Sequence, residues 1–239
     1  PEVFARPFHW LPAKAQWQNY ATVWMNEEAS MLRAFANTLY IALFSIVGQM
    51  FISSLAAYSF AKINFKGKQV VFMLFLSSMM VPSQLTIIPR FMLFKTIGLY
   101  NNLWAIILPA FFGATSIFML RQFYMGLPND LIEAAKIDGA GHLRIFLRIM
   151  LPLTKAALMS LIILAFISSW NEYMAPLIFL VKKELYTVSQ NIQWYMLDEF
   201  KEHNLTMAAA TSAIVPVVIL FIVGQKYFVE GIATSGVKG

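Results

Sequence analysis

The sequence predicts an all-α, polytopic membrane protein, and three observations carry that prediction. Only 13% of its 239 residues are charged, about half of the roughly 25% found in an ordinary soluble domain. Mean hydropathy is +0.64. Most directly, five intervals are long and apolar enough for a spanning helix, which needs about 20 mostly apolar residues.

The first interval, 34–61, runs without charge from Ala34 to Ala61 and ends at Lys62. The second, 69–89, is closed by Arg90, and the third, 96–120, by Arg121. The fourth, 156–181, is interrupted only by Glu172, and the fifth covers 203–225. Buried helices of soluble proteins rarely run so far without charge, so five spans are expected.

Orientation follows from Lys and Arg in the short connecting loops. Loop 62–68 holds Lys62, Lys66 and Lys68 without an acid, and 121–155 holds Arg121, Lys136, Arg144, Arg148 and Lys155. The 182–202 loop mixes Lys182, Lys183 and Lys201 with Glu184, Asp198, Glu199 and Glu202. Loops 62–68 and 121–155 are therefore expected in the cytoplasm, 90–101 and 182–202 outside, and the tail from Lys226 inside. Residues 1–33 then lie outside with no apolar run before them, so a sixth span upstream of Pro1 is expected in the native protein. The net charge of +6 is a matter of topology here. Its basic residues are scattered through loops, which argues against a nucleic-acid partner.

Between the third and fourth intervals lies the most informative stretch of the chain, and it is polar. Pro128, Asn129 and Asp130 read as a turn and helix start, with Asp130 as N-cap and Glu133 in capping-box register. Leu131, Ala134, Ala135 and Ile137 supply a shallow face, and Gly139 and Gly141 are placed to end the helix. A second helix from about His142 runs to Pro152, at the entry to the fourth span. A helical elbow at the membrane surface suits either a docking partner or an interfacial linker, and these physical features alone leave both open.

The spacing Glu133-Ala134-Ala135, Gly139, then Ile149-Met150-Leu151-Pro152 resembles the EAA loop of ABC importer permease subunits. The resemblance implies a type I ABC importer permease fold, with a domain over 34–228 and a cytoplasmic tail at 229–239. It also implies that the 130–141 helix couples to a partner ATPase through Glu133, Ala134, Ala135, Asp138, Gly139 and Ala140. Ser169-Trp170-Asn171-Glu172-Tyr173 resembles the Trp-Asn-Glu segment of the maltose-type, carbohydrate-uptake class. Gln225 to Gly231 resembles that class's tail, and Pro7 to Pro12 followed by Asn19-Tyr20 its segment after the first span. Gly141 departs from the Ser or Thr expected of the class. The implied partners are a second homologous permease, an ABC ATPase dimer carrying ATP and Mg, an extracytoplasmic solute-binding protein and a carbohydrate. The implied location is the bacterial inner membrane.

Glu172 is the one acid within the five intervals, and a charge stranded in lipid costs at least about 2.5–3.5 kcal/mol. With Trp170, Asn171 and Tyr173 it forms a polar-aromatic cluster beside Pro176, suited to a substrate pathway or to a structural kink. Gln49 and Ser53, at i, i+4 spacing, and Gln84 near Pro82 are further pathway candidates, although polar and small residues also serve helix packing. Gly48 and Gly113 read as packing positions. The chain has no Cys, no metal-ligand spacing and no phosphate-binding G-x-x-x-x-G-K-[ST] loop, so neither a cofactor nor ATP hydrolysis is expected in it. A non-sugar cargo, a secondary transporter and a membrane scaffold remain as alternatives.

Overall fold

The computed structural model describes residues 14–197 and 203–236, with side chains described as far as residue 225. The 7–12 motif, the charged residues of 198–202 and the side chains of the 226–239 tail lie outside that description. Every regular element among the described residues is a helix. Lipid offers no partner to backbone N–H and C=O groups, so a spanning chain must bond them internally.

Helix α1 (Gln18–Met25) leads into α2 (Met31–Lys62), whose start is capped by the Ser30 hydroxyl accepting from the Arg33 N–H. Helix α2 carries two faces. Leu39, Leu43, Val47 and Phe51 form an exposed apolar stripe at four-residue spacing. Ser45, Gln49 and Ser53, at the same spacing, run along another side.

The second predicted span is corrected to a broken pair. Helix α3 (Lys68–Ser77) ends in a short 3-10 turn, and α4 (Ser83–Thr96) departs at 96°. Pro82 causes the break, since it lacks an N–H and disfavours helical backbone in the residue before it. Val81 is accordingly extended. The third span begins at Trp104 rather than 96, as α5 (Trp104–Ala110) and α6 (Ala114–Gly126). Next come α7 (Asp130–Ile137), α8 (His142–Ile145), a π turn at Phe146–Met150 and α9 (Leu151–Leu153). Helix α10 (Lys155–Trp170) leaves the 142–153 segment at 76°. The predicted continuous span 156–181 is also corrected: Asn171 to Tyr173 separate α10 from the short α11 (Met174–Phe179). Helices α12 (Val188–Leu197) and α13 (His203–Gly236) complete the order. Among the described residues three helical segments, 31–62, 104–126 and 203–225, can cross a membrane by length and composition, and up to five crossings result if each bent pair counts as one.

One buried cluster unites α2, α6, α7 and the 145–150 turn through Ala57, Tyr58, Leu120, Tyr124, Ile132 and Met150. A second joins α1, α2, α10, α12 and α13 around Trp170. The Trp170 indole is 2% exposed, stacks on Phe166 and meets Phe35 edge-on. Its Nε1 donates to the Ala213 carbonyl at 3.0 Å. Close approach elsewhere depends on glycine, because a Cβ on Gly48 would overlap the Phe111 ring and one on Gly113 the Gln49 side chain.

The two ends of the bundle are tied differently. At one end, Lys62 donates to the Leu127 carbonyl and Asn129 Oδ1, and Arg121 to the Phe60 carbonyl, so loops 62–68 and 121–130 meet. At the other, Asn101 Oδ1 accepts from the Val181 and Lys182 N–H groups, and Val188 N–H donates to Thr38. There the Tyr195 hydroxyl donates to the Ala29 carbonyl, and burial pushes its pKa up to about 12, so it stays a donor. Lys183 pairs with Glu28 at 2.6 Å and lowers that carboxyl's pKa, chiefly by hydrogen bonding. Both groups are fully exposed, so this pair adds little.

Two substitutions and one control test this packing. Trp170→Ala is expected to cost about 3–5 kcal/mol and to lower the thermal midpoint of the purified protein in detergent. Gly48→Val is expected to do the same by overpacking, whereas Val47→Ala on the exposed stripe leaves that midpoint nearly unchanged.

Candidate functional site

The elbow forms as a helix pair pinned to α2. Helix α7 carries Asp130 and Glu133 in its first turn and Lys136 in its last, matching the helix dipole. The expected capping box does not form. Asp130 is already the first helical residue, and the Ile132 and Glu133 N–H groups bond to the Asn129 carbonyl. The C-terminus is a Schellman motif: Ala140 N–H reaches the Ala135 carbonyl and Gly139 N–H the Lys136 carbonyl. Gly139 has φ +77°, with no atom near a prospective Cβ, so a side chain there meets only the left-handed backbone penalty of about 1–2 kcal/mol. Gly141 is different. It is extended, at φ −72° and ψ 162°, and starts α8 rather than ending α7.

Of the expected shallow face, Leu131, Ala134 and Ile137 face out but Ala135 does not. Ile132 and Ala135 turn inward, where they pack with Tyr58, Tyr124 and Phe146. Leu131, Glu133, Ala134, Ile137 and Asp138 face out, and Ile137 is 86% exposed at the tip. Each end of the elbow is fastened to α2, at Asn129 by Lys62 and at His142 Nδ1 by the Tyr58 hydroxyl, 3.2 Å away.

The second feature is a cavity of about 390 Å³ at the broken helices. Ser45 and Gln49 of α2, Gln84 and Arg90 of α4, and Ser168 and Glu172 line it. Of the seven pathway candidates, this brings together Gln49, Gln84 and Glu172. One Glu172 oxygen accepts from the Ala175 N–H and so caps α11, while Gln49 Nε2 donates to Ser116 Oγ. The other four point elsewhere. Trp170 belongs to the core described above, Asn171 Nδ2 donates back to the Ile167 carbonyl, and Ser53 is fully buried outside the lining. Tyr173 precedes α11 and does not line the cavity. Among the described residues no group of acids and histidines could hold a metal ion.

Arg90 was missed as a site residue because it closes a charge-free interval and so reads as a span end. Ser45 could have been found, since it extends the Gln49–Ser53 stripe by one further i, i+4 step.

A family model described as a binding-protein-dependent transport system inner membrane component matches residues 49–234. The chain belongs to this family. It is the permease subunit of an ABC importer, an inner-membrane protein. It is 36% identical over 228 residues to the arabinooligosaccharides transport system permease protein AraQ of Bacillus subtilis (strain 168), covering 95% of this chain and 81% of that one. The sn-glycerol-3-phosphate transport system permease protein UgpE of Yersinia pestis bv. Antiqua (strain Antiqua) is 30% identical over 240 residues, 98% of this chain and 85% of the relative. Among solved structures, a bacterial ABC transporter involved in the import of the acidic polysaccharide alginate superposes with TM-score 0.81 at 25% identity. That match covers 91% of this chain and 81% of the other. The all-α permease fold is thus established for the whole described bundle.

In this permease the elbow and α2 share one buried core, and their polar fastening is testable. Lys62→Met removes the donor that holds Asn129 and the Leu127 carbonyl. Amide hydrogen exchange across 127–137 is expected to accelerate, with exchange in α13 unchanged.

Proposed function

We propose that this permease forms one half of a carbohydrate pathway, driven by a separate ATPase that grips α7 and the turn that follows it, residues 130–141. The observation that carries this reading is the single core joining the elbow to α2. Helix α2 runs from that core to Ser45 and Gln49 in the cavity wall, about 20 Å away at 1.5 Å per residue. A push on the elbow is therefore delivered to the solute cavity by a rigid element, without a flexible link.

On this reading the outward residues of α7 enter a groove of the ATPase, with Glu133, Ala134, Asp138 and Gly139 at the contact and Ala135 and Ala140 holding the helix shape. Closure of two ATPase subunits on ATP and Mg moves both elbows of a permease pair. That favours the outward-facing arrangement by binding it more tightly, a shift of population between two states. The chain itself hydrolyses nothing and holds no cofactor. An extracytoplasmic binding protein delivers the solute at the end where Asn101, Glu28 and Lys183 lie.

The carbohydrate class is supported by the cavity's chemistry and by the relatives. Two carboxamides, several serine hydroxyls, a carboxylate and a guanidinium suit a polyhydroxylated solute, in a volume within the usual range for small-molecule pockets. The relatives are described as serving arabinooligosaccharides, sn-glycerol-3-phosphate and alginate.

Glu133→Lys and Gly139→Asp in the assembled transporter test the coupling. Each is expected to reduce uptake into proteoliposomes at least tenfold and to weaken retention of the ATPase on the purified permease pair. Normal uptake with normal ATPase retention in both variants contradicts the proposal.

A further inference from the structure

Arg90 brings a permanent charge into the cavity wall. The 96° turn at Pro82 folds α4 back, so a residue that looks like a span end in the sequence faces Ser45 and Gln49 of α2 and Glu172 beyond α10. Its Nε is buried without a hydrogen-bond partner. The single ion pair among the described residues is Lys183–Glu28, so Arg90 is not in one. Its guanidinium carbon lies 5.1 Å from the centre of the Phe179 ring, which contributes only a partial countercharge.

Glu172 is near enough to act on Arg90 electrostatically, but one of its oxygens is committed to capping α11. Across the same cavity, Ser45 is 3% exposed and its Oγ also has no partner. Two polar atoms of residues in the same wall, Arg90 Nε and Ser45 Oγ, are thus buried without a partner, and buried polar groups are nearly always bonded. A guanidinium presents a planar fork of donors and cannot lose its proton at any working pH. Its natural complement is an oxyanion, held by two parallel charge-assisted bonds.

Building on the carbohydrate-permease reading, we propose that Arg90 is the specificity-determining residue of this cavity and holds the carboxylate or phosphate of an acidic sugar. Gln49 and Gln84 take the hydroxyls around it. Glu172, fixed as a helix cap, balances Arg90 between passages and repels a second anionic group, so one acidic residue occupies the cavity at a time.

The test uses the whole transporter, with its partner subunits and binding protein, in proteoliposomes. Three probes are compared for ATP-dependent uptake: a trisaccharide bearing one uronate, its neutral counterpart with a primary alcohol in place of the carboxylate, and the corresponding sugar phosphate. Wild-type transporter is expected to carry at least one of the acidic probes, and which one identifies the anionic group. Arg90→Gln is expected to lower the ratio of acidic to neutral uptake about tenfold or more, the size expected for a charged hydrogen bond. Arg90→Lys, which keeps the charge but loses the fork, is expected to lower it less. An unchanged ratio in an assembled Arg90→Gln complex overturns the inference. So does wild-type uptake confined to the neutral probe. If Arg90→Gln does not assemble, as it would if Arg90 pairs with an acid of the second permease, Arg90→Lys decides: an unchanged ratio there overturns the proposal too. Absence of ATP-dependent uptake of every probe by wild type strikes the carbohydrate reading itself, a result distinct from a changed or unchanged ratio.

Discussion

The structure depends on one constraint: backbone at membrane depth must bond to itself, or else lie within protein or against a water-filled space. Three of this permease's apolar intervals break that self-bonding, at 78–82, at 111–113 and at 171–173. The breaks converge. Ser83 and Gln84 follow the first, Pro109 and Ala110 precede the second, Ser169 precedes the third and Glu172 lies within it, and all six line one cavity. Side chains take over where the helices stop: Glu172 caps α11, and Gln49 reaches Ser116 just past Gly113. The polar groups that repair the broken backbone thus become the lining available to a solute.

The same economy governs the elbow. A short helix of eight residues is marginal by itself, so α7 exists because Ile132 and Ala135 are buried against Tyr58 and Tyr124. That burial makes the elbow an extension of α2 and α6 rather than a flexible loop. Lys62 and Tyr58 then fix its two ends by directional bonds. Tight packing transmits displacement because cores repack between discrete arrangements and do not deform smoothly.

Much of this was legible in the sequence. The charge-free intervals located α2 and the apolar start of α13 closely, since nothing in either breaks the helical pattern early, and Pro216 within α13 leaves it continuous. The Glu133–Gly139 spacing located the elbow and its left-handed turn. Capping was not legible: Asp130 and Glu133 have the right register, yet the start of α7 is bonded through the Asn129 carbonyl instead. Nor could hydropathy reveal the 96° bend at Pro82, since proline marks where a helix can break but not the direction in which the chain then turns. Arg90 was hidden for that reason. Trp170 and Glu172, two residues apart in a single motif, serve different places, one a core and the other a cavity wall, because the helix ends between them.

The central claim is that elbow and α2 move as one body against the α4 wall of the cavity. Pulsed electron spin resonance on the reconstituted transporter tests it most directly, with label pairs introduced at the exposed positions Ile137, Val47 and Ile88 in a chain that has no native cysteine. On adding a non-hydrolysable ATP analogue, the 137–47 distance should stay fixed while the 47–88 distance shifts. A changed 137–47 distance with an unchanged 47–88 distance would contradict the account.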